Sequence, residues 1–302
     1  MFQFYSTIAH FSQKKKRLKL LFSILFFLFF SYSIYFLWFY DFCEQSRASS
    51  IPYPSFWQTT ALDEEDQRIV NSILSKKLTY LGEGGQSYVF STADDRYVLK
   101  LFKFQRLQPS WMIHLLPTLF EAYKEKHIAK RDKKLLAVFS GYKLAYDQHR
   151  SESGLLFVQL IPPHIPQWIT LVDRVGIERS LDIGSTVCVI QRKGVTFEQE
   201  LSHLLDLNNL QVAEERIHQV FALYHSEFVK KIRDLDEGVM HNIGFVEGQV
   251  FHLDVGKIVQ GTSDDPSKQV ASKIEEWIAY HYPQYLSFFS KSLSKELGLV
   301  NK

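Results

Sequence analysis

The sequence has little cysteine, methionine or proline: two, three and nine residues in 302. Two cysteines, Cys43 and Cys188, do not make a disulfide framework; the first lies beside a long apolar run and the second in a β-branched stretch. There is no Asn-X-Ser/Thr sequon, which disfavours a glycosylated secretory protein. There is also no internal repeat and no low-complexity tract. Nor is there a strong charge of one sign. The net charge is +2, and five of the cations fall in residues 1–19, which leaves −3 over residues 20–302. That balance gives no footprint for nucleic acid. What remains is 46% hydrophobic and 23% charged, the mix of a chain that folds. The length suits one large domain, or two lobes with an accessory segment.

Long hydrophobic runs are scarce too, with one exception. Residues 20–40 carry no charge, and a helix of that length crosses the roughly 30 Å hydrocarbon layer of a bilayer. Lys14, Lys15, Lys16, Arg17 and Lys19 precede it, and Tyr35, Trp38 and Tyr40 gather at its far end, where amphipathic rings favour the interface. A cleaved signal peptide is the competing reading. Its apolar region would be too long, and Asp41-Phe42-Cys43-Glu44 supplies no small-residue cleavage site. The expectation is a single transmembrane helix with the lipid bilayer as partner. Only Arg47 follows within twenty residues, so the positive-inside rule puts residues 1–19 in the cytoplasm and the large domain opposite. In a bacterium that side holds little ATP, and the side of the large domain stays open.

Residues 41–62, with Ser49, Ser50, Pro52 and Pro54, read as a tether. Asp63 caps a short helix reaching Lys77, with Ile69, Val70, Ile73 and Leu74 at helical spacing. Two strand patterns flank Gly82-Glu83-Gly84-Gly85, and the second leads through a turn at Asp94-Asp95 to Tyr97–Leu101. Residues 112–138 carry a helical pattern. Leu144, residues 155–161 and residues 186–190 read as strands. Residues 197–205 and 212–232 are helical, residues 242–253 form a hairpin around Glu247-Gly248-Gln249, and 267–280 and 284–297 are helical again. Strands dominate to about residue 190 and helices after it. The expected class is α+β, with a strand-rich lobe over 63–192 and a helical lobe over 193–302.

Two stretches carry chemistry. Gly82, Gly84 and Gly85, followed by Ser87 and Val89, form a loop whose backbone N–H groups can approach anionic oxygens because no side chain blocks them; a plain tight hairpin is the ordinary alternative. Lys100, on a strand otherwise facing a core, wants an anionic partner, unless it is an edge lysine in water. The second stretch, residues 233–257, packs Asp234, Asp236, Asn242 and Asp254 into a loop, hairpin and turn. A carboxylate and an amide oxygen suit Mg2+ with a phosphate chain; taken singly, a turn aspartate and an Asx-turn asparagine are common. Histidines 203, 218, 225, 241 and 252 make no close metal pattern, and His218 and His225 read as packed or surface residues.

In this order the pieces resemble the protein-kinase-like superfamily, including its small-molecule and lipopolysaccharide kinases, over roughly residues 76–280; a membrane-anchored bacterial member is implied. The resemblance implies a two-lobed kinase-like fold, ATP and Mg2+ as cofactors, and a glycine loop at Gly82, Gly84, Gly85, Ser87 and Val89 over the nucleotide phosphates. It implies that Lys100 contacts the α/β-phosphates and pairs with Glu121, or with Glu125, on the next helix. Asp254-Val255-Gly256 is similar to the Asp-Phe-Gly triplet that binds metal, with Asn242 as second ligand and Val189–Gly194 as hinge. The catalytic loop departs from the family: Ile232-Arg233-Asp234-Leu235 has no histidine, and Asp234 stands eight residues before Asn242 and Asp236 six, against five. Asp236 fits the catalytic aspartate by spacing, with Asp234 second. No Ala-Pro-Glu segment follows Asp254, which disfavours an ordinary protein kinase. Three functions follow: a phosphotransferase moving the γ-phosphate of ATP to a lipid, glycan or protein acceptor; a pseudokinase acting as a binding module; and an anchored adhesion or effector domain without a nucleotide site.

Overall fold

The computed structural model describes residues 16–34, 51, 53–236, 238–261 and 265–298. It divides into two units, Met1–Arg47 and Ala48–Lys302. In the first, helix α1 (Lys16–Ile34) is 19 residues long and apolar enough to cross a membrane. Its phenyl rings point outward, and Phe26 stacks on Phe30 one turn on, at 6.2 Å. Residues 35–40, including Tyr35, Trp38 and Tyr40, lie outside the described residues, as do Cys43 and Arg47.

The second unit is α+β, with a sheet-rich lobe and a helical lobe. It opens at Ile51 and Trp57, which the sequence places in the tether; both are buried, and the Trp57 indole meets the Phe139 ring edge-on at 4.8 Å. Ile51 and Trp57 therefore belong to the folded unit, because these apolar side chains have a core to join. Helix α2 (Glu64–Leu74) starts where Asp63 accepts the Asp66 N–H at 2.8 Å, a side-chain cap of ordinary strength. The strands follow: β1 (Leu78–Glu83), β2 (Ser87–Thr92) and β3 (Tyr97–Phe102). Then come helix α3 (Glu121–Gln148), β4 (Leu155–Gln159), β5 (Trp168–Val172), β6 (Glu178–Asp182) and β7 (Cys188–Arg192). They form one seven-stranded sheet in the order β4-β7-β3-β2-β1-β5-β6, antiparallel except between β1 and β5. Phe102, Phe139, Tyr142, Val158 and Val189 bury the sheet against α3. Each such side chain taken from water stabilises the fold by about 1.5–3 kcal/mol.

Two parts of this lobe differ from the sequence reading. The expected helix over 112–138 begins as two separate 3-10 turns, Trp111–Leu115 and Thr118–Phe120. Pro117, extended at φ −57° and ψ 157°, separates them, since proline holds the preceding residue out of the helical region. The helix proper then runs ten residues past 138 and takes in Leu144, which reads as a strand residue in isolation. The pair β5–β6 has no counterpart in the sequence reading; its inward residues, Ile169, Leu171 and Leu181, are few, and the exposed Trp168 and half-buried Val172 on the outward face of β5 blur the alternation that marks a strand.

The helical lobe begins at β8 (Val195–Thr196) and α4 (Phe197–Asp206), which a capping box between Thr196 and Gln199 fixes. Helix α5 (Leu210–Val229) leads to β9 (Ile232–Asp234). The hairpin β10 (Ile243–Val246) and β11 (Gln249–His252) follows, then β12 (Ile258–Gln260), α6 (Ser267–His281) and α7 (Leu286–Glu296). A second core fills it, with Phe197, Ile217, Val220, Phe245, Ile274 and Phe289 at its centre.

Candidate functional site

The glycine loop is the turn between β1 and β2. The register between them breaks at Tyr80 and Gly82, and the Gly84 N–H closes the turn on the Ser87 carbonyl at 2.9 Å. A Cβ built on Gly82, Gly84 or Gly85 meets no atom within 4 Å, so open space faces all three. Ser87 and Val89 pair in register with Phe102 and Lys100 across β2 and β3. A lysine that sequence reasoning passes over holds the loop from below. The Lys103 side chain, 4% exposed, pairs with Glu83 at 2.7 Å, donates to the Gly84 carbonyl at 3.0 Å and lies 4.6 Å from the centre of the Tyr88 ring.

Lys100 reaches the other lobe. Its ammonium donates to the Leu253 carbonyl at 2.7 Å, 153 residues away in sequence. Burial pulls its pKa down, and the neighbouring Asp254 charge works in the opposite direction. Asp254 begins the tight turn after β11: its Oδ1 accepts the Gly256 N–H at 3.1 Å. The Asn242 backbone carbonyl takes the Leu253 N–H at 2.6 Å and the Asp254 N–H at 3.3 Å. Lys100, Asn242 and Asp254 thus meet around one stretch of backbone. Helix α3 supports it closely, because a Cβ on Gly141 would stand 2.7 Å from the Val255 carbonyl. The Gln86 amide fills the remaining gap. A Cβ on Gly256 would fall 2.5 Å from Gln86 Oε1, and that oxygen is buried without a hydrogen-bond partner. An orphaned acceptor of this kind costs about 1–3 kcal/mol.

Asp234 and Asp236 differ in environment. The Asp234 side chain is 2% exposed. It accepts the Asp236 N–H at 2.8 Å, receives the Asn242 amide at 3.5 Å and stands 3.3 Å from His252 Nε2. Asp236 is 36% exposed and pairs with Lys257 at 2.7 Å; that ammonium and the Asn242 amide hold its carboxyl below its ordinary range. Behind Asp234, His252 Nδ1 and His149 Nε2 both lie on Glu227 Oε1, at 2.7 and 2.8 Å. Burial opposes charge on His252, but Glu227 and Asp234 outweigh it and push its pKa up to about 10. Burial likewise opposes charge on Glu227, and the two imidazoles bring its pKa down to about 2. His149, Glu227 and His252 place three potential metal donors within 4.8 Å of one another. Their ring-to-carboxylate distances are those of charge-assisted hydrogen bonds, which account for the cluster without an ion.

A cavity of about 250 Å³ opens on this loop, with Tyr224, Asp234, Asp236, Asp265 and Gln269 among its walls. One expected pairing is not made. Glu121 and Glu125 are exposed at the start of α3. Glu121 binds Lys124 at 3.2 Å, and Lys100 takes a backbone carbonyl instead. The residues of α3 that do reach the site are Gly141 and Tyr142, whose phenol is pushed well up by burial and by Asp254. Their only sequence signal is a glycine beside an aromatic inside a long helix. His149 and Glu227 leave still less of one, being 78 residues apart.

No protein-family description matches the chain, and no curated protein matches it. Among solved structures, a ternary complex of streptomycin, ATP and APH(2″)-IIa is 12% identical at a TM-score of 0.23. The likeness covers 80% of this chain and 97% of that one, too slight a score to assign a fold.

Proposed function

We propose that the second unit is a kinase-like phosphotransferase domain that uses ATP and Mg2+, anchored in a bilayer by α1. One observation carries the reading: Lys100, Asn242 and Asp254, far apart in sequence, meet beside a glycine loop that faces open space. The donor set fits the cation, since Asp254 and Asn242 offer hard side-chain oxygens. Gly82, Gly84, Gly85, Ser87 and Val89 would cover the phosphates and Lys100 would neutralise them. The bound cation would supply charge compensation on the transferred group.

Asp236, at the cavity mouth, would orient an acceptor hydroxyl and take its proton as the oxygen bonds to the γ-phosphorus and the β–γ bridging bond breaks, releasing ADP. Asp234, locked by three partners, would hold the loop. An acceptor close to the bilayer, whether lipid, glycan or protein, follows from the anchor. A second reading, a pseudokinase that binds without turnover, draws on two observations. Lys100 has a backbone partner rather than an acid on α3, and Gln86 occupies the gap at Gly256.

The test is thermal unfolding of the full chain with ATP, with and without Mg2+. At a hundredfold excess over Kd, a ligand specific for the folded state adds about 2.7 kcal/mol. The expected result is a metal-dependent rise in Tm that Lys100→Met and Asp254→Asn each abolish, with phosphate transfer lost in Asp236→Asn. No rise at any ATP concentration would refute the nucleotide site. A rise without turnover leaves the binding module.

A further inference from the structure

The site does not use the most crowded cations of the fold. The first half of α3 carries Lys124, Lys126, His127, Lys130, Arg131, Lys133 and Lys134. His127, Lys130, Arg131 and Lys134 follow the i, i+3, i+4, i+7 spacing that puts them on one face, and with Lys133 they wall a shallow hollow. The acids of the same stretch, Glu121, Glu125 and Asp132, are spaced to share a different flank. Among the described residues Lys126, Lys130, Lys133 and Lys134 have no carboxylate partner. Burial and four neighbouring cations, Arg131, Arg106, Lys257 and Lys130, hold the Lys134 ammonium below its ordinary pKa. Lys257 itself binds Asp236, so the cationic face runs up to the catalytic loop.

An apolar edge adjoins this face. The 3-10 turns before α3 and its first turn expose Met112, Leu115 at 69%, Leu119 at 86%, Phe120 and Tyr123. Tyr123 stacks on His127, which joins the apolar edge to the cationic face. Cations alone read as a solvated surface, and scattered exposed leucines are ordinary. Five large apolar side chains within twelve residues, continuous with a cationic face, form the pattern of an element that lies in a lipid interface.

We propose that residues 111–134 form a docking surface for an anionic phospholipid bilayer, with Leu115 and Leu119 entering the headgroup boundary and Lys126, Lys130 and Lys133 meeting lipid phosphates. Charge complementarity and the anchor favour this occupant over another protein. Residues 35–50 separate the end of α1 from Ile51 in sequence, and no chain of that length extends beyond roughly 60 Å; with α1 in a bilayer the local concentration of headgroups is therefore high. The surface is independent of nucleotide.

The unit Ala48–Lys302 has its own two cores and can be tested without α1. Its co-sedimentation is measured with vesicles of phosphatidylcholine alone and of phosphatidylcholine and phosphatidylglycerol in equal parts. Binding is expected only to the anionic vesicles, weakening as salt rises. The pair Lys130→Glu and Lys133→Glu should lower the partition coefficient by at least roughly thirty-fold, and Leu115→Ser with Leu119→Ser by at least about ten-fold. Lys268→Glu with Lys291→Glu, a change of equal charge elsewhere, should leave it unchanged. Melting curves confirm that each variant folds. Equal binding to both vesicles would overturn the proposal, as would equal loss in the control pair. A dimer that Leu115→Ser and Leu119→Ser disperse, with no vesicle binding, would assign the apolar edge to a second copy instead.

Discussion

At the scale of single residues, the buried pair of charges behind Asp234 sets a dependence on pH. Glu227 is depressed from 4.5 to about 2 by the imidazoles it accepts from. Its contribution to stability is complete above pH 4.5 and is lost as pH falls toward 2. Glu227→Gln leaves two rings without their anion, and breaking such a pair costs on the order of 3 kcal/mol. The expected result is a lower Tm at pH 7, with the gap to the unaltered protein closing as the solution is acidified below pH 4.5. A gap of constant size would show that Glu227 is not ionised in the fold. Gln86 gives the second residue-scale prediction. Its amide fills the gap at Gly256 and leaves an oxygen unsatisfied, so Gln86→Ala removes an occluding group at little cost. ATP should bind the variant a few-fold more tightly by calorimetry; weaker binding would mean that the amide helps to hold the nucleotide or its cation.

At the scale of elements, α3 governs how Asp254 is presented. Gly141 lets the helix approach within van der Waals contact of the Val255–Gly256 backbone. The clashing atom is a backbone carbonyl, so Gly141→Ala must displace the turn or the helix. The variant should lose about 1–3 kcal/mol of stability, the usual cost of overpacking, and most of its Mg2+-dependent ATP binding. Retained binding at reduced stability would separate the helix from the site. The elements also show what sequence patterns reveal. The hairpin with Lys100, the hairpin of β10 and β11 and helix α5 are legible because each keeps one period and is bounded by a turn or cap residue: Asp94-Asp95, Glu247-Gly248 and Asn209. The start of α3 is not, since the cations and apolar residues of 112–134 keep helical spacing across Pro117, where the chain turns. The partner of Lys100 is not legible either. A backbone carbonyl carries no residue type, and a glutamate at the expected distance in sequence points away because the helix rotates it to the surface. His149 and His252 come together only through tertiary packing, from segments that separately look like an ordinary helix end and an ordinary strand.

At the scale of the whole molecule, the distribution of charge and the proposed chemistry make opposite demands. Five cations precede the apolar run and Arg47 alone follows closely, which favours export of the folded unit. Transfer from ATP requires the unit to stay in the compartment that holds ATP. The chain offers a simple reporter, because Cys188 is buried with its thiol pushed up to about 12 and does not react at neutral pH. With Cys43 replaced by serine and the exposed Lys291 replaced by cysteine, a membrane-impermeant maleimide applied to intact cells reads the side directly. The phosphotransferase reading expects no labelling until the membrane is opened. Labelling of intact cells would place the glycine loop and Asp254 away from ATP and leave the unit as a binding module on the far face. The lipid-docking surface distinguishes these outcomes no further, since residues 111–134 would meet headgroups of whichever leaflet the unit faces. The folded unit is nearly neutral or acidic in sum while one helix face is strongly cationic. Net charge therefore says little about what the molecule binds, and the position of its cations beside exposed leucines says more.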